Sequence, residues 1–446
     1  MTVIELGDVT PGSPLPSAVA SPGYDHRAVR RFVLAAIAVL CLLGLTGSVR
    51  PQSTLLRTLW SVPFGLADRF TVTSSALYAA TVATHGRLTA YDLDTGAVRW
   101  SAGTPQGDAW PLAAAAGVLL FPADRVAHEI DSPDGTSYLA EFYRQTVAVD
   151  ERTGAPLWRL PGETFTTGGR AALLVDRAGE QGDMFAAIRL VGLRDGGVRW
   201  AAATPGTARL AVGGADPKNP DLLATVTATG DAEVRRMADG SRVAAGHIDL
   251  RTVSPENGEF VELFLDARRL YVRMSTGRGD SLAAYSVDTL RPVWRQEDTA
   301  RVAAYACGAV LCSVLNPGML AFDPATGREV WSSPRTQNVW PAGPGRLLSD
   351  EGTDAYALLD EATGRRIAGL GPGRPVPDVD GTIGYLVRDT SAPPYQAVVS
   401  RIDLATGEVG LRGTIPRISS DYGCQGTADR LACPTVDGRL LVVGVG

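Results

Sequence analysis

Ala321-Phe-Asp-Pro-Ala-Thr-Gly-Arg-Glu-Val-Trp331 is a segment that predicts a short strand, a tight turn and a second strand ending at tryptophan. Asp and Pro suit the early positions of a tight turn, and Gly tolerates the positive φ that reverses the chain. Ala90–Trp100 and Ala148–Trp158 are close copies of the same pattern. The segment is therefore one copy of a repeat, and the arrangement of the copies decides the fold.

The copies recur with 37 to 58 residues between their turn positions. Those positions are Gly96, Gly154, Gly196, Gly240, Leu290, Gly327, Gly364 and Gly407. Self-similarity at this period is typical of a propeller or a solenoid. Two apolar, β-rich runs precede each turn, so each copy predicts about four short antiparallel strands, which is one propeller blade.

The two ends of the repeat region complete one another. Gly438–Gly446 parallels the start of the first copy but stops where the turn and the Trp strand should follow. Leu55–Trp60 supplies such a strand with no turn before it, which predicts one blade split between both ends. A ring joined in this way has no exposed first and last blade. We predict an all-β, closed β-propeller of four-stranded blades over residues 55–446.

The number of blades does not follow directly from the number of repeat units. Nine units can be counted, eight with their own turn and one closed by Trp60. We favour eight blades, with the degenerate copy at Arg235–Ala245 as the one expected not to form a full blade, and nine as the alternative. Two long spacings hold insertions, Asp124–Tyr143 and His247–Gly258, which we interpret as surface loops.

Tryptophan and aspartate recur in phase with the repeat. The tryptophans are Trp60, Trp100, Trp158, Trp200, Trp294 and Trp331. We expect each indole to lie between neighbouring blades, where a large flat ring buries much area, and we disfavour an aromatic ligand box. The in-phase acids are Asp92, Asp150, Asp323, Asp360 and Asp403. We expect these carboxylates to accept backbone N–H groups across the turn rather than to act in catalysis.

The N-terminal region predicts a membrane anchor. Residues 1–31 are rich in small residues and Pro and end in Arg27, Arg30 and Arg31, so we expect a flexible cytoplasmic tail. Residues 32–49 carry no charge and would span about 27 Å as a helix, enough to cross a bilayer. A cleaved signal peptide and a buried soluble helix are the alternatives. We predict a single-pass protein of the cell membrane with a cytoplasmic N-terminus and an extracytoplasmic propeller.

Four cysteines form two close pairs in the sequence, Cys307 with Cys312 and Cys424 with Cys433. Each pair falls where a short turn leads into an inner strand, which brings opposed side chains within disulfide range. We predict both disulfides as local staples, and the alternative is four buried free thiols. Paired cysteines suit an oxidising compartment.

Composition and motif content limit the functions. A net charge of −6 and a pI near 5.4 disfavour a nucleic-acid-binding protein. No catalytic motif is found, and we predict no catalytic, cofactor-binding or metal-binding residues. Three clusters are candidate calcium ligands and are explained equally well as turns: Asp378 with Asp380; Asp350, Glu351 and Asp354; and Asp216, Asn219 and Asp221.

The A-x-D-x-x-T-G-x-x-x-W pattern resembles the repeat of the pyrroloquinoline-quinone (PQQ)-like β-propellers, over about residues 55–446. That family contains quinoprotein alcohol dehydrogenases and also non-enzymatic propellers, such as a lipoprotein of the outer-membrane assembly machinery. The dehydrogenases hold the quinone beside a disulfide of adjacent cysteines and bind calcium, whereas this chain has no Cys-Cys dipeptide. The resemblance implies fold more firmly than activity.

We therefore expect a non-catalytic scaffold that binds an unknown protein or small molecule and contacts the lipid bilayer through residues 32–49. The alternative is a PQQ-dependent quinoprotein oxidoreductase, which would need PQQ and calcium.

Overall fold

The computed structural model is all-β in the parts of the chain that it describes. These are residues 56–81, 86–103, 113–131, 137–179, 182–216, 218–250, 259–277, 279–297, 301–315, 317–352, 355–379, 381–419 and 423–446. Across these ranges no helix has the length and apolar character needed to cross a bilayer. The predicted tail at 1–31 and anchor at 32–49 lie outside the described residues.

Strand β1 (Leu56–Pro63) opens the described chain, and the strands after it form blades in sequence order. Blade 1 contains β2 (Arg69–Val72), β3 (Ala76–Thr81), β4 (Arg87–Asp92) and β5 (Val98–Gly103). Blade 2 contains β6 (Ala113–Ala115), β7 (Val118–Asp131), β8 (Ser137–Asp150) and β9 (Pro156–Pro161). Blade 3 contains β10 (Glu163–Gly168), β11 (Ala171–Ala178), β12 (Met184–Gly192) and the first part of β13 (Val198–Gly214).

The middle blades follow the same order. Blade 4 contains the second part of β13, then β14 (Leu222–Thr227), β15 (Asp231–Arg236) and β16 (Arg242–His247). Blade 5 contains β17 (Phe260–Asp266), β18 (Arg269–Thr276), β19 (Gly279–Ser286) and β20 (Pro292–Glu297). Blade 6 contains β21 (Arg301–Ala306), β22 (Leu311–Leu315), β23 (Gly318–Phe322) and β24 (Glu329–Ser333).

Three blades complete the domain. Blade 7 contains β25 (Asn338–Gly343), β26 (Arg346–Asp350), β27 (Ala355–Asp360) and β28 (Arg366–Pro372). Blade 8 contains β29 (Arg374–Pro377), β30 (Ile383–Asp389), β31 (Gln396–Ile402) and β32 (Val409–Pro416). Blade 9 contains β33 (Gln425–Gly426), β34 (Arg430–Thr435) and β35 (Arg439–Val445), and its fourth strand is β1.

The turn between the third and fourth strands follows directly from the repeat sequence. In blade 1 the Asp92 carboxylate accepts hydrogen bonds from the backbone N–H and the hydroxyl of Thr95, at 3.0 and 2.8 Å. Gly96 adopts a φ of +70° and donates its N–H to the carbonyl of Asp92. Asp therefore holds the bend, and Gly supplies a backbone conformation that other residues rarely adopt.

The described strands can be divided into nine four-stranded blades, which corresponds to the alternative count rather than to the favoured eight. Strand β13 explains part of the difference, because its first part pairs with β12 (Trp200 opposite Leu190) and its second part pairs with β14 (Leu210 opposite Thr225). Two blades thus share one long strand. The copy at Arg235–Ala245, expected to be incomplete, lies in β15 and β16 of a full blade.

The predicted split blade is confirmed. Strand β1 pairs antiparallel with β35 along its whole length, from Leu56 opposite Val445 to Pro63 opposite Arg439. Trp60 lies opposite Val442, which corresponds to Trp100 opposite Ala90 in blade 1.

The hydrophobic core of the described chain is divided among the junctions between blades. One cluster joins Tyr78 of blade 1 to Phe121 of blade 2. Another joins Leu77 of blade 1 to Leu440 of blade 9, and a third joins Val399 of blade 8 to Leu431 of blade 9. The other junctions hold corresponding clusters. Packing contacts therefore run from each blade to the next and from blade 9 to blade 1.

Candidate functional site

Most junctions carry the same contact between a tryptophan and the turn of the following blade. Trp100 of blade 1 donates its indole N–H to the carbonyl of Glu151 at 2.9 Å. The ring covers Gly154 so closely that an added Cβ there would lie 2.6 Å from it. Among the described residues the same pairing joins Trp60 to Gly96, Trp158 to Gly196, Trp200 to Gly240, Trp294 to Gly327 and Trp331 to Gly364. The predicted tryptophans thus lie between consecutive blades.

At the junction between blades 4 and 5 the large and small residues are interchanged: the tryptophan position holds a small residue and the turn glycine position holds a large one. The tryptophan position is Ala244, and the turn glycine is replaced by Leu290. Leu290 adopts a φ of +52° and is only 3% exposed, in one apolar cluster with Ala244. The leucine side chain therefore fills space that an indole fills elsewhere, which explains why this copy forms a full blade.

The junction between blades 8 and 9 departs from the pattern because a β-bulge is displaced. In blade 1 the bulge lies between Ala90 and Tyr91, next to the pair that contains the tryptophan. In blade 8 it lies between Val399 and Ser400, so Leu411, at the tryptophan position, pairs with Ser400, and Gly410 pairs with Arg401. Side chains alternate across a strand, so this shift moves Leu411 to the other face.

The shift opens a cleft on the side of blade 9. Leu411 is 52% exposed, and the position that should face blade 9 is held by Gly410, which has no side chain. A cavity of about 620 Å³ lies there, which we call the seam cleft. Its polar lining consists of Asp378, Thr382, Tyr385, Arg401, Asp403, Glu408, Arg412 and Thr427.

Two guanidinium groups give the seam cleft its chemistry. The side chains of Arg401 and Arg412 have no hydrogen bond or ion pair with another residue that the structure describes, and the Nε of Arg412 is buried. Tyr385 donates its hydroxyl to the carbonyl of Ala428 at 2.6 Å. Burial raises the pKa of Tyr385, so the hydroxyl stays a neutral donor. The cleft therefore offers unsatisfied cationic donors beside a fixed neutral side chain.

Carboxylates line the same cleft in different states of engagement. Asp403 accepts the backbone N–H groups of Ala405 and Thr406 at 2.8 and 3.1 Å, and these bonds lower its pKa. Asp378 accepts the N–H of Thr382 at 2.8 Å. Glu408 is exposed, and its carboxylate has no partner among the described residues. Positive and negative groups thus face one cavity.

A second departure from the repeat is an arm on blade 2. Strands β7 and β8 continue beyond the blade for seven further pairs, from Arg125 opposite Tyr143 to Asp131 opposite Ser137. We call residues 125–131 and 137–143 the hairpin arm. Phe142 is 5% exposed, stacks on His128 with 6.0 Å between ring centroids and abuts Gly182 of blade 3. The insertion interpreted as a loop is therefore mostly an ordered β-ribbon.

Both predicted disulfides are present. Cys307 and Cys312 have their Cα atoms 5.8 Å apart, and Cys424 and Cys433 have theirs 4.3 Å apart. Each bond closes the turn between the first two strands of its blade, blade 6 or blade 9. All four cysteines are buried.

The acidic groups considered as calcium sites are engaged in turns where they are described. Asp216 accepts the backbone N–H of Lys218 at 2.9 Å and the side-chain amide of Asn219 at 2.8 Å. Asp350 accepts the N–H of Gly352 at 2.8 Å. Asp354 and Asp380 lie outside the described residues. Within the described part of the chain, no group of three or more His, Cys, Asp or Glu side chains is placed to hold a metal ion.

Comparison with known proteins supports the repeat type. A family model described as outer membrane protein assembly factor BamB matches residues 56–211. Among solved structures, BamB from Moraxella catarrhalis is 14% identical, with 87% of this chain and 99% of that chain covered and a TM-score of 0.43. The computationally designed Ika8 protein is 12% identical, with coverage of 87% and 100% and a TM-score of 0.42.

A structure of the eukaryotic initiation factor is 12% identical, with coverage of 82% of this chain and 90% of that chain and a TM-score of 0.50. Likeness at this identity shows the fold alone. No curated protein matches the sequence. The matched model supports a PQQ-like repeat over residues 56–211, and the four-stranded sheets are of the kind that a β-propeller contains.

Proposed function

We propose that this PQQ-like repeat propeller is a membrane-anchored, extracytoplasmic scaffold that binds a partner protein through the hairpin arm of blade 2. Residues 32–49 would anchor it with the N-terminus in the cytoplasm. Two disulfides support an extracytoplasmic location, because such bonds persist in oxidising compartments. The scaffold is proposed to be non-catalytic.

The hairpin arm supports the proposal because it extends beyond the four-stranded part of blade 2 and is not needed to complete that blade. In the described structure β6 pairs only with Val118–Leu120, and β9 pairs with β8 only from Gln145 onward. Residues 126–131 and 137–142 pair with no described strand other than each other, so the edges of the arm can accept an added strand, a common mode of peptide recognition.

The arm is also held in place, which lowers the entropy lost on binding. An isolated two-stranded ribbon is marginally stable in water, so it needs support from the rest of the fold. Here Phe142 is buried against blade 3, and the carboxylate of Glu141 forms an ion pair with Arg125 across the ribbon. Leu139 remains 55% exposed, as an apolar contact for the partner.

A closed ring of nine blades is part of the same proposal, since it would give the arm a rigid base. Gln425 of blade 9 supports it by imitating a peptide group beside β2. Its side-chain amide donates to the carbonyl of Phe70 at 3.0 Å and accepts the N–H of Val72 at 3.0 Å. These bonds join the last blade to the first in addition to the pairing of β1 with β35.

The test replaces residues 124–144 by an Asn-Gly turn that joins Ala123 to Gln145, which lie opposite each other. When this armless variant of the full chain is cross-linked in its native membrane, the major cross-linked species of the unaltered protein should disappear. A finer pair is Leu139→Asp against Val198→Asp, since these side chains are 55% and 56% exposed. Only the arm variant should weaken the cross-link; unchanged cross-linking of the folded, armless protein would contradict the proposal.

The quinoprotein alternative has less support in the site. Both disulfides are buried within single blades, so neither offers an exposed face on which a planar quinone could stack. Incubation with PQQ and calcium would overturn our choice if it gave the quinone absorbance together with dye reduction.

A further inference from the structure

We propose that the seam cleft between blades 8 and 9 binds a small ligand that carries one carboxylate and one ammonium group, such as an amino acid or a short peptide. The proposal is independent of the hairpin arm, which lies on blade 2. It rests on the origin of the space, on the unpaired arginines and on the acids beside them.

The space follows from the displaced bulge rather than from a loop. Gly410 faces blade 9 where other blades present a tryptophan or its substitute, and the cavity of about 620 Å³ takes that place. Ligand pockets in proteins typically measure about 300–1,000 Å³. The walls are paired strands of blade 8 and the turn before Asp429 of blade 9, so the cavity is built from ordered backbone.

The arginines select an oxyanion. A guanidinium presents a planar fork of N–H donors that matches a carboxylate, often with two parallel bonds. Arg401 and Arg412 have no partner of that kind among the described residues, and the buried Nε of Arg412 is unsatisfied. A charge-assisted hydrogen bond from either guanidinium group would favour a carboxylate over a neutral ligand group.

The carboxylates that line the cleft favour a zwitterionic ligand over an anion. Asp378, Asp403 and Glu408 line the same cavity, so a multiply charged anion would meet repulsion there. The Glu408 carboxylate can instead accept an ammonium group. A ligand with one charge of each sign satisfies both sides of the cleft.

The cavity between blades 1 and 2 provides a contrast within the same molecule. It is similar in size, about 590 Å³, but its lining is mostly apolar and includes Trp100, Phe121 and Trp158. Arg159 is its charged lining residue in the described chain, and it already donates to Gln145. The combination of free guanidinium groups and carboxylates belongs to the seam cleft.

The test is calorimetric titration of the purified full chain with glycylglycine, with succinate and inorganic phosphate as comparators. Glycylglycine should bind saturably and more tightly than either anion. Arg401→Gln and Arg412→Gln should each weaken it about tenfold or more, since each removes a charge-assisted hydrogen bond. Arg365→Gln, an exposed arginine on the turn of blade 7, is the control and should change nothing.

Glu408→Gln gives the sharper readout, because it should weaken glycylglycine while strengthening succinate. Unchanged thermal midpoints would show that the variants are folded. Absence of saturable glycylglycine binding, tighter binding of phosphate or succinate, or equal binding by Arg412→Gln would each overturn the proposal. None of these results depends on the arm, so this proposal and the proposed scaffold function fail separately.

Discussion

The junction between blades 1 and 2 and the junction between blades 8 and 9 are built from the same hairpin but end in opposite states. In the first, the bulge leaves Trp100 opposite Ala90, and the indole covers Gly154. In the second, the bulge lies farther from the turn, and the residue at the tryptophan position faces solvent. The position of one extra residue thus decides whether the side chain at the tryptophan position packs into the junction or faces solvent.

The two kinds of junction also contribute differently to the stability of the fold and to ligand binding. A tryptophan buries roughly 150–250 Å², so the packed junctions contribute strongly to the fold. Blade 9 has no turn for a tryptophan to cover, because its fourth strand is β1 rather than a continuation of β35. The junction between blades 8 and 9 therefore lacks the usual contact with a turn glycine, and polar groups face a cavity there.

The largest expected effect comes from removing a packed tryptophan. Trp331 is 7% exposed and donates to the carbonyl of Glu361 at 2.9 Å. Trp331→Ala should lower the free energy of unfolding by about 3–5 kcal/mol, through lost burial and a cavity. Leu411→Ala, at the same repeat position in blade 8, should change it by less than about 0.5 kcal/mol because the side chain is already exposed. Urea unfolding of both variants measures the contrast.

Equal losses for the two variants would show that the seam is packed like the other junctions. The displaced bulge in blade 8 would then not account for the cavity between blades 8 and 9.

The second effect tests the exchange of sizes between blades 4 and 5. Leu290→Gly should cost about 2 kcal/mol, since it creates a cavity that outweighs the relief of the positive φ. Ala244→Trp alone should cost about 1–3 kcal/mol because the indole would meet Leu290. The double variant restores the usual pair, so its loss should be smaller than the sum by more than about 1 kcal/mol.

Leu290→Ala is the control for this cycle, since it keeps a Cβ at the positive φ while it removes most of the packing. Strict additivity in chemical denaturation would mean that the two residues do not share one space.

The sequence predicted the parts of this molecule that repeat locally, namely the strands, the turns, the split blade and the paired cysteines. It left nine blades as the alternative to eight, because the compensation joins Ala244 to Leu290, which are distant in sequence and meet only in the folded chain. The ordered pairing of the hairpin arm was missed, since alternating residues in an insertion do not reveal their partner.

The seam cleft could be foreseen only in part. Asp403, Gly407 and Leu411 keep the spacing of Asp92, Gly96 and Trp100, so the displaced bulge leaves no trace in the spacing. One signal was available: Arg401 stands where the first copies carry Ala90 and Ala148, residues of the apolar core. A charged residue at a core position of a repeat marks a place where the packing differs.

The smallest expected effect compares the acids of the two turns. Arg99 and Thr95 bond to Asp92 and lower its pKa to about 2, whereas Asp403 accepts hydrogen bonds only from turn residues among those described, since Gly410 replaces the arginine. A carboxyl whose folded pKa lies below its unfolded value stabilises the protein above about pH 4 and loses that contribution as the pH falls toward 2. In a plot of the urea unfolding midpoint against pH, Asp92→Asn should therefore reduce the loss of stability at acid pH more than Asp403→Asn does. The contribution of the Asp92–Arg99 pair to the free energy of unfolding should be less than about 1 kcal/mol, because the pair is exposed to solvent. Equal reductions would assign the low pKa of Asp92 to the turn alone, without Arg99.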